Sequence, residues 1–173
     1  MSSLRLIVLM FMTQLFAYAT AQTPEGYVPY QRQFSMQTTA SIVDNLSLTT
    51  IRDVNLNDPA TVDGFITIVP NTSSFSGLMR INGRPGKLVR ITYLSSETLL
   101  DQNGSGGVIK ANYRISGFES DNQAASVLLD VGEANVRIGK DGVYFIWLGA
   151  RLDLNRALPG VYVSEFIIEL EGN

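Results

Sequence analysis

The sequence predicts an all-β fold, a two-sheet antiparallel β-sandwich of immunoglobulin-like or pilin-like type. Three observations predict it. Apolar residues recur at every second position through most of the chain after residue 33, which is the side-chain period of a strand. Turn-forming clusters such as Pro70-Asn71, Asn82-Gly83, Pro85-Gly86 and Lys140-Asp141-Gly142 separate these runs at short intervals. No stretch beyond the first 21 residues carries a helical or heptad period.

The chain has 173 residues, enough for one domain with a real core. Residues 1–21 read as an export signal. Arg5 is a lone positive charge, Leu6 to Phe16 is mostly apolar, and Ala17-Tyr18-Ala19 and Ala19-Thr20-Ala21 are small-x-small cleavage sites. Cleavage is expected after Ala21. The apolar run falls short of the roughly 20 residues that span a bilayer, so no transmembrane segment is expected after cleavage. Residues 22–33, with Pro24, Gly26 and Pro29, read as a flexible leader, and residues 34–173 as the domain.

Within the domain each segment has its own justification. Phe34, Met36, Thr38, Ala40 and Ile42 alternate with polar residues, giving a first strand that Asp44-Asn45 breaks. Leu46, Leu48 and Thr50 form a second, and residues 53–64 a loop rich in Asn and Asp. Residues 65–69, 78–81, 88–94 and 98–101 are short β-branched or alternating runs. Asn103-Gly104-Ser105-Gly106-Gly107 is a flexible tip or wide hairpin. In residues 108–118, Ile109, Ala111, Tyr113 and Ile115 oppose Lys110, Asn112, Arg114 and Ser116. Residues 127–131 and 134–138 are short candidates. Tyr144, Ile146, Leu148, Ala150, Leu152 and Leu154 alternate with Phe145, Trp147, Gly149, Arg151 and Asp153. After the Pro159-Gly160 turn, Tyr162, Phe166, Ile168 and Leu170 share one face with Ser164, and Glu165, Glu169 and Glu171 the other. This makes about eight to ten strands.

Composition excludes several functions. The chain has no cysteine and no histidine, so disulfides, thiolate sites, Ser-His-Asp triads and histidine-based metal sites are ruled out. A net charge of −3 gives no footprint for nucleic acid. Asp53, Asp58, Asp63, Asp101, Glu119 and Asp121 sit in turn-like segments, where carboxylates cap the backbone more often than they form a glycosidase pair or a calcium site. No cofactor is expected.

Two sets of residues stand out for binding. Phe34, Met36, Ala40 and Ile42 have the alternation of a strand that one subunit could lend to the sheet of another, or of an ordinary first strand folded in place. Phe145 and Trp147 share one face of their strand and either point outward as a partner surface or fill a second, minor core.

Gly149-Ala150-Arg151-Leu152-Asp153-Leu154, then Pro159-Gly160-Val161-Tyr162 and Phe166-Ile167-Ile168-Glu169-Leu170, resemble the closing motif of an uncharacterised bacterial secreted and surface β-sandwich domain family, a domain of unknown function. Leu46-Ser47-Leu48-Thr49, Asp53-Val54-Asn55-Leu56 and Gly64-Phe65-Ile66-Thr67-Ile68 are similar to its opening elements, although Asn55-Leu56 stands where the family has Phe-Gly. The family is similar in layout to the spore-coat-U and chaperone–usher pilin group. The resemblance implies an exported protein at the periplasm, cell surface or beyond, and brings no catalytic residues. The expected function is a non-enzymatic structural protein of the bacterial envelope, a fibre or coat subunit that assembles with itself or with other envelope proteins by strand addition. The alternative is a secreted monomeric module that binds a glycan or an envelope partner.

Overall fold

Strand patterning in this chain is carried through into two packed layers. A computed structural model describes residues 32–43 and 45–172. The expected signal, its cleavage site and the leader up to Gln31 lie outside the described residues. Eleven strands follow in order: β1 (Arg32–Ile42), β2 (Ser47–Arg52), β3 (Phe65–Ile68), β4 (Gly77–Asn82), β5 (Leu88–Tyr93), β6 (Ser96–Leu100), β7 (Val108–Phe118), β8 (Val127–Leu128), β9 (Glu133–Arg137), β10 (Val143–Asp153) and β11 (Gly160–Gly172). One short 3-10 helix, Gln123–Ala125, lies between β7 and β8.

The four-stranded sheet runs β1-β11-β5-β9. The seven-stranded sheet runs β2-β4-β10-β7-β6, with β3 also on β10 and β8 also on β7. The two sheets face each other, and the alternating residues predicted as apolar fill the space between them. Ile109, Ile115, Ile146 and Leu152 from one sheet and Ile91, Tyr162, Phe166 and Ile168 from the other are fully buried. Phe166 is clasped edge-on by Tyr113 at 5.4 Å between ring centroids and tilted against Tyr93 at 6.0 Å.

The structure departs from the sequence reading in four places. The sandwich is not wholly antiparallel, because β1 runs parallel to β11 from Arg32↔Gly160 to Ile42↔Leu170. A hairpin forces antiparallel pairing, but these strands are the first and last of the described residues and no turn joins them. Strand β1 begins at Arg32 rather than Phe34, so Arg32 and Gln33, the last two residues of the expected leader, are strand. The described residues form eleven strands rather than eight to ten, and the expected strand at 127–131 is formed only at Val127–Leu128. Leu56, in the polar loop after β2, is buried in the core at 2% exposure.

Candidate functional site

The edge of the four-stranded sheet is the most distinctive surface. Its outermost strand, β1, holds to β11 through the odd-numbered residues and Val43, whose N–H donates to the Leu170 carbonyl at 3.0 Å. In a parallel ladder a residue's N–H and C=O face the same side. Phe34 turns both groups away from β11. Its N–H donates to Asn57 Oδ1 at 3.0 Å, and its carbonyl accepts from Asn57 Nδ2 at 3.0 Å. One side-chain amide thus stands in for a neighbouring strand at one position. By the same alternation, Met36, Thr38, Ala40 and Ile42 present their backbone groups to the outer edge, where no strand pairs with them among the described residues.

The four candidate donor-strand residues divide into two pairs. Phe34 is buried and stacks on Tyr162 with centroids 6.0 Å apart, and Met36 packs half-buried against the core. Ala40 and Ile42 are exposed. The strand is folded in place against its own β11. A groove of about 610 Å³ beside it is lined by Phe34, Ser35, Asn57, Asp58 and Val161.

Three devices hold the start of β11 rigid behind this edge. The Tyr162 hydroxyl donates to the Leu158 carbonyl at 2.7 Å and accepts from the Leu158 N–H at 3.1 Å. Asp101 accepts the Val161 N–H on one oxygen and the Ser105 N–H on the other, each at 2.8 Å. The Ser105 N–H above all holds this carboxyl down to about 2, against the opposing effect of burial. Position 160 must be glycine, because a Cβ there would overlap the Asp101 carboxylate. Deeper in, Glu97 Oε1 accepts from the Tyr113 hydroxyl and from Ser164 Oγ, both at 2.5 Å, and those two hydroxyls lie 2.6 Å apart. Burial first, and then the bond to Glu97, push the Tyr113 phenol well above its ordinary range. This polar cluster ties β6 and β7 of one sheet to β11 of the other. A buried Ser164 at 0% exposure is satisfied there rather than left orphaned.

Trp147 does not offer a partner surface. It is 1% exposed, on the outer face of β10 but under a cover. Gln123 Nε2 donates to the Pro70 carbonyl at 2.7 Å, and to the Ser73 carbonyl and Ser76 Oγ at 2.8 Å, drawing the 3-10 turn and the loop after β3 together. Ser126 Oγ donates to Ser116 Oγ at 2.8 Å, and Ser116 is the β7 residue in register with Trp147. The central strand is therefore buried on both faces around Trp147. Phe145 stacks on Trp147 with centroids 6.3 Å apart and is half-buried.

The carboxylates weighed for catalysis or calcium are dispersed. Asn55 Oδ1 accepts the Asn57 and Asp58 N–H groups, and Asn55 Nδ2 donates to Asp58, which is the chemistry of a loop turn. Among the described residues no three acidic side chains converge as a metal site would require. Among them, too, no helix is long and apolar enough to cross a membrane. Sequence reading missed Asn57, Glu97 and Gln123 as organising residues. Ser164 gave the one available signal, a polar residue inside an apolar row.

In comparison with known proteins, no family model matches the chain, and no curated protein matches it significantly. The resemblance drawn from residues 46–68 and 149–170 therefore rests on the sequence.

Proposed function

We propose that this chain is an exported, non-enzymatic structural subunit of a bacterial envelope, building a fibre or coat by strand addition at β1. The observation that supports this reading is the edge of β1, which is open among the described residues. It is eleven residues long, it has no bulge, proline or glycine, and it has no charge after Arg32. Edges are ordinarily blunted by just those devices, because unpaired N–H and C=O groups template another chain. Met36, Thr38, Ala40 and Ile42 leave such groups available, and a second copy supplies the matching strand. Backbone hydrogen bonds would then give the affinity and the alternating side chains the register.

The test is Thr38→Pro. Proline removes an outward N–H and no bond to β11, and edge strands tolerate it. The expected result is a folded monomer by sedimentation velocity, under conditions where the unaltered chain forms larger species. Equal assembly by both proteins would overturn the reading. The alternative of a glycan-binding module loses its aromatic platform, since Trp147 is packed away; its fluorescence is expected to stay flat across a glycan panel.

A further inference from the structure

The two outer faces of the sandwich carry opposite charge. On the four-stranded sheet, Glu165, Glu169 and Glu171 of β11 and Glu133 of β9 point to solvent. Among the described residues the two cations on that face, Arg90 and Arg137, are engaged, with Glu171 and with the Gly86 carbonyl. On the seven-stranded sheet, Lys110 and Arg114 of β7 and Arg151 of β10 point to solvent. None of these three has an ion pair among the described residues. Asp153, the carboxylate on the same face of β10, already accepts from Asn155.

Shape follows the same division. Ile167 stands 40% exposed in the acidic row, with Glu165 and Glu169 two residues to either side, about 7 Å along the strand. The basic face holds a groove of about 460 Å³. Val69, Pro70 and Leu128 give it apolar walls, and Arg114 and Arg151 reach its rim. Arg151 is steadied there by lying over the Phe65 ring, 3.9 Å from its centroid.

We infer that a second copy of this chain docks here, placing its Ile167 in the groove and its Glu165 and Glu169 against Arg114 and Arg151. The contact joins unlike faces, so a joined pair keeps one free face of each kind and growth continues copy on copy. It rests on the reading of the chain as an assembling subunit, but it uses a surface separate from the β1 edge.

Sedimentation velocity on the chain starting at Gln22 tests this at low salt and at 1 M NaCl, where the Debye length falls to about 3 Å. R114E/R151E and E165K/E169K are each expected to weaken self-association by on the order of tenfold, through like-charge opposition. Mixed in equal amounts, the two variants are expected to co-assemble, because each then offers the sign that the other needs. That recovery also shows both to be folded. Charge variants that assemble as the unaltered chain does, or a mixture that recovers nothing, overturn the stacking contact. Thr38→Pro separates the two ideas: loss of assembly there with none in the charge variants leaves strand addition standing alone, and the reverse leaves stacking alone.

Discussion

Asp101 and Tyr144 show how single side chains set the pH range of this fold. The Asp101 carboxyl is held at about 2, below its ordinary 3.8, chiefly by the Ser105 N–H. A carboxyl whose folded value is depressed contributes stability above the unfolded value and loses it as pH falls through the folded one. The melting temperature is therefore expected to drop between about pH 3.8 and pH 2, and Asp101→Asn to flatten that drop in thermal melts followed by circular dichroism. Tyr144 moves the other way. Burial, and then the Glu119 carboxylate, push its phenol up to about 12 from 10.0. Its contribution is complete below the unfolded value and is lost as pH rises through the folded one. Absorbance titration should find Tyr144 still protonated at pH 11, and Tyr144→Phe should lessen the alkaline loss of stability. Of these two residues the sequence marked Tyr144 as inward by alternation alone. Asp101 looked like an ordinary turn carboxylate, because its role depends on β11, sixty residues later in the chain.

At the scale of elements, one side-chain amide braces β1 and another the cover over Trp147. Asn57→Ala removes both bonds to Phe34 and is expected to cost about 1–2 kcal/mol. Faster hydrogen exchange in β1, with β11 and β5 unchanged, would show that the loss is local. Gln123→Ala releases three acceptors at once, and Trp147 emission should then shift to the red as water reaches the ring. Unchanged emission would mean that the cover holds without Gln123. The long strands β7, β10 and β11 were legible because a period of two survives whatever packs against it. Burial of Trp147 was not, because alternation assigns a residue to a face and is silent on whether a distant loop lies over that face. The parallel pairing of β1 was hidden for a similar reason. Short turns disclose antiparallel neighbours, and nothing local reports which strand the chain's first segment will meet.

For the molecule as a whole, the opposed faces were half visible in sequence, as Glu165, Glu169 and Glu171 on one strand and Lys110 and Arg114 on another. Only the topology shows that the two rows lie on opposite outer surfaces. Salt should accordingly dissolve stacked assemblies while leaving the melting temperature of the single domain nearly unchanged, since exposed pairs such as Arg90–Glu171 are worth roughly 0–1 kcal/mol. The parallel β1–β11 ladder has a mechanical consequence as well. Arg32 begins β1 beside Gly160, and Ile42 ends it beside Leu170, roughly 33 Å away. Tension applied at residues 32 and 172 pulls the two strands lengthwise past each other, so their rungs bear the load together instead of opening one by one like a zip. A filament anchored through those positions would resist stretching in shear, and optical-tweezer extension from residues 32 and 172 should need more force than pulling from residues 32 and 160, which lie side by side at one end of the ladder.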